Sequence, residues 1–309
     1  MEKNKQYIVL SRQDAVARNN SPYVNLKIKN ENDVENICVF YDLRDQPYSF
    51  PKVGELVRFT NYRDNQGKKS ANKMEIIQDG ECPSDHPLYQ FIPRATDMKE
   101  WERCITALLK DCSDKDLIAF IDEKYKKLYE EYTQRPAATS VHHAYEGGLL
   151  THTYQMLHML EKIYPVYPYQ NEIKLERIII GILFHDWGKF IEYNKGGEKQ
   201  EEGYLLGHIY SSAHHLHNQL ENFYKKRHQK MTNEDLDEIY FIVHCVLAHH
   251  GQLEFGSPVL PCIPEAQLIN YLDNISAKAD IFSTTGHMEK AFALGTSVVK
   301  KITRPTIEN

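Results

Sequence analysis

Residues Ile178-Ile-Ile-Gly-Ile-Leu-Phe-His-Asp-Trp-Gly-Lys189 hold the decisive pattern: seven positions without a polar side chain run straight into a His-Asp pair. An apolar run of this kind is core, and Gly188, two residues past the pair, reads as a helix stop. An imidazole and a carboxylate at the end of such a helix are held by core packing and can still reach a solvent-open cleft. Working outward, the 3.6-residue period predicts helices near 147–163, 172–190, 207–227, 233–250 and 265–282. Four of these also carry a ligand type in an apolar setting: His152 on the first, His208 at the start of the third, His249 and His250 at the end of the fourth, and Asp273 within the fifth.

Further toward the amino terminus, Trp101, Ile105, Leu108 and Leu109 share a helical stripe, as do Leu117, Phe120, Ile121, Tyr125 and Leu128. Before them the character changes. Tyr7–Leu10, Tyr23–Ile28, Ile37–Tyr41 and Leu56–Phe59 are short runs rich in β-branched and aromatic residues, separated by turns such as Asn19-Asn-Ser-Pro and Asn65-Gln-Gly-Lys. Val24, Leu26 and Ile28 alternate as one buried face would. Four or five such strands in about 75 residues fit a small OB-like barrel. The expected architecture is α+β and multidomain: a β-barrel over 1–80, a helical linker region over 81–135, opening on the stretch Gly80–Pro87, and an all-helical domain over 136–309. A Gly/Glu/Lys-rich loop is expected at Asn194–Gly203.

Composition limits what this chain can be. Its 309 residues are 41% hydrophobic and 26% charged, which excludes wholesale disorder. The net charge of −6 excludes a protein that coats nucleic acid by bulk charge, and the imbalance is uneven, with 13 basic and 11 acidic side chains in residues 1–80. An acidic remainder that handled phosphates would need local positive charge, which a bound metal supplies. No run approaches the ~20 apolar residues of a membrane span. Met1-Glu-Lys-Asn-Lys-Gln has no apolar core behind its charges, and six scattered cysteines form no CxxC pair, so a cytoplasmic protein with reduced thiols is expected. Of 15 histidines, only His86 precedes residue 142.

Imidazole nitrogens mixed with carboxylate oxygens suit a divalent transition metal (Mn, Fe, Co, Ni or Zn) better than Mg or Ca. One ion or two would fit, with Mn favoured. A bound ion lowers the pKa of a coordinated water and polarises a phosphoryl oxygen, and two ions ~3.5–4 Å apart can stabilise both attacking and leaving oxygens. Asp186 could bridge two ions through its two oxygens. Lys189, a turn beyond His185, is a candidate contact to a phosphate oxygen, or else a solvated lysine at a helix end. His142 and His143 precede a Gly-Gly turn and are candidate substrate contacts, supporting partners or surface residues. His214 and His217 read as helix surface, His215 as a supporting residue and His244 as packed. In the barrel, Tyr7, Tyr23, Tyr41, Phe59 and Tyr62 lie near Lys27, Lys29, Arg58, Arg63, Lys68 and Lys69, the mixture with which OB folds hold single strands, although any single aromatic there is more simply core.

The order His … His-Asp … Asp resembles the HD-domain metal-dependent phosphohydrolases. Longer strings are similar to one branch, the YhaM-type 3′-to-5′ exoribonucleases: His142-His-Ala-Tyr-Glu-Gly-Gly-Leu-Leu-Thr-His-Thr, Phe184-His-Asp-Trp-Gly-Lys, Glu202-Gly-Tyr-Leu-Leu-Gly-His-Ile, Ala248-His-His-Gly-Gln-Leu-Glu-Phe-Gly-Ser-Pro and Tyr271-Leu-Asp-Asn-Ile-Ser-Ala-Lys. The resemblance implies an N-terminal OB-type domain before a helical HD domain. It implies His152, His185, Asp186 and Asp273 as core metal ligands, with His208 and one or both of His249 and His250 on a second ion. It also implies 3′-to-5′ hydrolysis of single-stranded RNA, or of DNA as well, to nucleoside 5′-monophosphates by a metal-activated water. Trp187, where an aliphatic residue is usual, and Lys199-Gln-Glu, in place of a Thr-containing approach to Glu202-Gly203, depart from the pattern. The other readings of the same residues are an HD-type nucleotide or cyclic-dinucleotide phosphohydrolase and a non-catalytic nucleic-acid-binding protein with a vestigial site. The sequence leaves the oligomeric state open.

Overall fold

A computed structural model describes residues 5–18, 20–40, 51, 53–65, 68–77, 86–88, 97–138, 142–168, 170–194, 199–228 and 230–300. Tyr41, most of the 80–87 stretch, the centres of the Asn19 and Asn65 turns and the middle of the 194–203 loop lie outside the described residues. The chain divides into two compact units, 1–94 with 278–309, and 95–277.

The first unit is built on five strands: β1 (Gln6–Val16), β2 (Pro22–Lys29), β3 (Val34–Phe40), β4 (Leu56–Asn65) and β5 (Lys68–Ile77). They close in the order β1-β2-β3-β5-β4, antiparallel except for β3 beside β5. The closing seam is short, since β1 and β4 share only Gln6–Arg58, Tyr7–Val57 and Ile8–Leu56. Alternation drives the closure: Tyr7, Val9, Val24, Leu26, Ile28, Ile37, Val39, Val57 and Phe59 all point into one core. β5 carries almost no hydrophobic signal, because only Ala71 and Ile77 of its residues are buried.

Residues 278–300, expected from sequence to continue the helical domain, pack with the barrel instead. Lys27 pairs with Glu289 at 3.1 Å and the Lys29 ammonium donates to the Ser283 carbonyl at 2.8 Å. The short strands β6 (Lys290–Ala291) and β7 (Thr296–Ser297) lie in this segment. Two-residue strands have no periodicity to read.

The second unit is helical: α1 (Met98–Leu109), α2 (Lys115–Tyr132), α3 (Gly148–Ile163), α4 (Leu175–Phe184), α5 (Lys189–Glu192), α6 (Glu201–His228), α7 (Asn233–Leu247) and α8 (Pro264–Thr284), the last running past the unit boundary. Asp97 and Asp114 cap α1 and α2, and Thr232 with Asp235 forms a capping box on α7. α1 and α2 are no linker: Trp101, Ile105, Phe120 and Ile121 belong to the same core as α4. α4 is the axis of that core, with every residue buried except Arg177. Each of its Ile, Leu and Phe side chains stabilises the unit by roughly 1.5–3 kcal/mol. α4 stops at Phe184, short of the expected 190, because the backbone tightens there: Trp187 N donates to Phe184 O and Lys189 N to Asp186 O. That tightening throws His185 and Asp186 sideways from the helix end.

Candidate metal centre

Two groups of donors meet at the end of α4. In the first, the His152 Nε2 on α3 stands 3.1 Å from Asp273 Oδ1 on α8 and 3.2 Å from His185 Nε2. Asp186 Oδ2 completes it, 3.2 Å from His185 Nε2 and 4.0 Å from His152 Nε2. In the second, His208, His249 and His250 bring ring nitrogens within 4.8 Å of one another. Asp186 Oδ1 reaches this group at 3.6 Å from His208 Nε2 and 3.9 Å from His249 Nε2. Gly207 makes the second group possible: at φ 68° and ψ 162° it breaks α6, so that His208 opens a fresh helical segment. All seven sequence-predicted ligands are thus together, and Asp186 lies between the two groups.

The rings are aimed by their far sides. His185 Nδ1 donates to Ile182 O at 2.8 Å, His249 Nδ1 to Val246 O at 2.6 Å and His250 Nδ1 to Phe255 O at 2.7 Å. His208 Nδ1 meets the buried Glu192 carboxylate at 2.7 Å, and His152 Nδ1 meets Ser276 Oγ at 2.9 Å. Ser276 donates in turn to Gln155 Oε1 at 2.7 Å, so it accepts from His152. With a proton fixed on each Nδ1, every neutral ring presents a bare Nε2 lone pair inward. Lone pairs and carboxylate oxygens facing each other at about 3 Å repel unless a cation sits among them. Asp186 Oδ1, His208 Nε2 and His249 Nε2 are buried with no hydrogen-bond partner among the described residues, a cost of about 1–3 kcal/mol each. Five imidazoles and two carboxylates are the donor set of a borderline divalent cation, and the residues present fit such ions.

Electrostatics agree. Burial pushes the Asp186 carboxyl up, but Lys189, His185 and His208 overcome it and hold it well below the carboxylate range. Asp273 is likewise depressed against burial, chiefly by His152. Burial lowers His185, yet Asp186 and Asp273 outweigh it and leave that ring raised. Burial pushes His249 well down, with His250 and His185 adding to it. The Glu192 carboxyl, raised by burial, is brought to about 2 by His208 and Lys199.

Three expectations change. Lys189 is not a solvated helix end: it opens α5, is buried, and holds Asp186 Oδ2 at 2.6 Å. His143 is buried and faces inward, 3.2 Å from Gln155 Oε1, with a positive φ of 46°. That contact sets it beside the Gln155–Ser276–His152 chain. His142 is half-buried with its ring 5.4 Å from that of His152, and burial lowers it to about 3. His215 lies flat on Trp187, ring centroids 3.5 Å apart, away from the ligands. Glu192, Gln155 and Ser276 hold the rings of His208 and His152 in place, and sequence reasoning misses them. Ser276 has a usable signal, since it follows Asp273 by about one helical turn in the Tyr271–Lys278 string, whereas nothing marks Glu192 or Gln155.

Ser276→Ala leaves His152 free to turn, and metal affinity, measured by chelator competition, is expected to fall about 10–100-fold. A second expected outcome concerns pH. His215 is lowered to about 4 by burial, then by Lys127 and Lys124. An unfolded His titrates near 6.5, so between those values the unfolded chain binds more protons and stability falls as pH drops from about 6.5 through about 4. The His215→Gln variant should lose less stability over that window, by about 1–2 kcal/mol after allowing for solvent screening of this half-exposed ring. Thermal melts at a series of pH values measure it.

Residues 149–278 match the HD domain family model. The chain is similar to the 3′-5′ exoribonuclease YhaM of Bacillus subtilis (strain 168), 26% identical over 311 residues covering 95% of this chain and 93% of that one. It is 26% identical over 281 residues to the protein of the same name in Bacillus pumilus (strain SAFR-032), covering 89% and 84% of the two chains. It is 27% identical over 272 residues to that of Geobacillus sp. (strain WCH70), covering 86% and 79%. No solved structure matches it. Among the described residues no helix is long and apolar enough to cross a membrane. With its ligand types gathered on the helices that the family model spans, the chain is similar to the HD domain family over residues 149–278 and is a metal-dependent hydrolase.

Proposed function

We propose that this protein is a 3′-to-5′ exonuclease that shortens single-stranded RNA, and single-stranded DNA as a further substrate, to nucleoside 5′-monophosphates. The observation that carries the reading is Asp186, whose two oxygens face two separate groups of imidazoles. His152, His185, Asp186 and Asp273 would hold one divalent transition metal, and Asp186, His208, His249 and His250 a second, with Mn favoured. Such ions, when bound, supply a Lewis acid for the phosphoryl oxygen and a water of lowered pKa. The chain's own residues orient and neutralise. Glu192, Ser276 and the Ile182 and Val246 carbonyls fix which ring nitrogen faces inward. Lys189 offsets the buried charge of Asp186 and keeps an ammonium beside the reacting phosphate. His142, on the rim beside His152, is the candidate contact to a phosphate oxygen. The names of the curated relatives support the substrate class.

Incubating the purified protein with Mn²⁺ and single-stranded RNA labelled at its 5′ end tests this. A ladder shortening from the 3′ end with nucleoside 5′-monophosphate as product is expected. Intact RNA, or hydrolysis confined to free nucleotides or cyclic dinucleotides, overturns it.

A further inference from the structure

Away from the end of α4, a separate knot of donors joins α1 to α3. Cys104 on α1 is fully buried, and His158 and Glu161 stand one turn apart on α3, sharing a face. The Cys104 sulfur, a ring nitrogen of His158 and a carboxylate oxygen of Glu161 all lie within 4.8 Å of one another. Ion pairs explain part of this knot. Arg103 forks between Glu100 and Glu161, reaching Glu161 Oε1 at 2.8 Å and Oε2 at 3.0 Å. Lys162 stands 3.5 Å from the same Oε2. Tyr154 donates to Glu100 at 2.7 Å and lies flat beside the His158 ring, centroids 5.6 Å apart at 20°, which limits how that ring can turn. Two groups are left over. His158 Nδ1 is a buried atom 3.2 Å from Glu161 Oε2 without the alignment of a hydrogen bond. The Cys104 thiol is pushed up to about 12, by burial and then by Glu161, so it keeps its proton unless a cation takes the proton's place.

We propose that Cys104, His158 and Glu161 form a binding site for a thiophilic divalent cation, Zn²⁺ above all, separate from the centre at the end of α4. Bonds of about 2.0–2.3 Å in a tetrahedral zinc site put neighbouring donors roughly 3.2–3.6 Å apart. The His158–Glu161 spacing of 3.2 Å already has that size. The sulfur selects the metal. A thiolate suits Zn²⁺ and is a poor ligand for Mn²⁺ or Mg²⁺, whereas the donors at the end of α4 are imidazoles and carboxylates. As the metal–sulfur bond forms, the thiol proton leaves to solvent. The surrounding charge permits this. Glu100 and Glu161 balance Arg103 and Lys162, so a thiolate with a divalent cation leaves one net positive charge. Arg103 keeps its hold on Glu161 through Oε1 while Oε2 turns to the ion. His158 is 40% exposed, so the fourth position opens to water. Once filled, the site pins α1 to α3 six residues, or about 9 Å of helix, from His152. This inference holds whichever substrate the hydrolase takes.

Cobalt(II) is the probe, added to the full-length protein after its thiols are reduced and its metals stripped with EDTA. A cobalt ion held by a thiolate gives a sulfur-to-metal charge-transfer band in the near ultraviolet, and cobalt among imidazoles and carboxylates does not. The band therefore reports this site and is silent to ions at the end of α4. Wild-type protein should show it, excess Zn²⁺ should abolish it and excess Mn²⁺ should leave it. Cys104→Ser should remove the band. His158→Gln, at a partly exposed position that the fold tolerates, should weaken cobalt binding by roughly tenfold or more, and it serves as the test if Cys104→Ser does not fold. No band in the wild-type protein, an undiminished band in Cys104→Ser, wild-type affinity in His158→Gln, or displacement by Mn²⁺ as readily as by Zn²⁺ overturns the site.

Discussion

Replacing Asp186 with Asn is expected to lower the proposed RNA hydrolysis by about a thousandfold or more, some 4 kcal/mol of barrier, and to reduce bound metal from the proposed two ions per chain to one or none. Each other candidate ligand belongs to one group, but Asp186 faces both, Oδ2 toward His185 at 3.2 Å and Oδ1 toward His208 at 3.6 Å. An amide supplies one weaker oxygen and a nitrogen with no free lone pair. The substitution also leaves the buried Lys189 ammonium without its partner, a loss of roughly 3–5 kcal/mol in the metal-free protein. Elemental analysis gives the stoichiometry, and a melt in EDTA gives the stability. Retention of two ions with full activity would sink the shared role of Asp186 between the two groups.

Gly188→Ala is the second large effect. A Cβ at Gly188 would fall 2.1 Å from the His208 carbonyl oxygen and 2.8 Å from its carbon. Those are backbone atoms, and Gly188 N is itself held to Ser212 Oγ at 2.7 Å, so neither side can simply rotate away. α6 must shift, carrying His208 off Asp186. The expected cost is about 3 kcal/mol, which corresponds to a melting temperature lowered by about 6–12 °C for a unit of this size. Activity should fall further than stability accounts for, while binding of an ion at the first group, whose donors lie on α3, just past α4 and on α8, should be retained. Metal titration of the folded variant at low temperature, showing one site instead of two, distinguishes this from simple unfolding.

Gly188 shows how much of the fold and site could be read in advance. Its position after His185-Asp186 marks the end of α4, but its role as the surface on which the His208 backbone rests is a long-range contact with no local signature. The ligands are legible because each interrupts an apolar run, and the run itself announces burial. The supports are less so: Glu192 and Gln155 are ordinary polar residues on helices, and only tertiary packing makes them orient His208 and anchor Ser276. Lys189 escapes the sequence for the same reason, since a lysine beyond an apolar helix is solvated unless a buried carboxylate claims it. In the barrel, alternation identifies β2, whereas β5 is polar along most of its length. The polar contacts that tie residues 278–300 to the barrel are two lysines meeting a carboxylate and a carbonyl, which no periodicity reports.

That attachment bears on how the protein is made. The barrel's strands leave the ribosome well before Ser283 and Glu289, which follow about 180 residues of helical sequence. At ordinary translation speeds of about 5–20 residues per second, the nascent barrel waits roughly 10–40 s for the segment that neutralises Lys27 and engages Lys29. Throughout that interval its lysine-rich face is uncovered in the company of the messenger that encodes it.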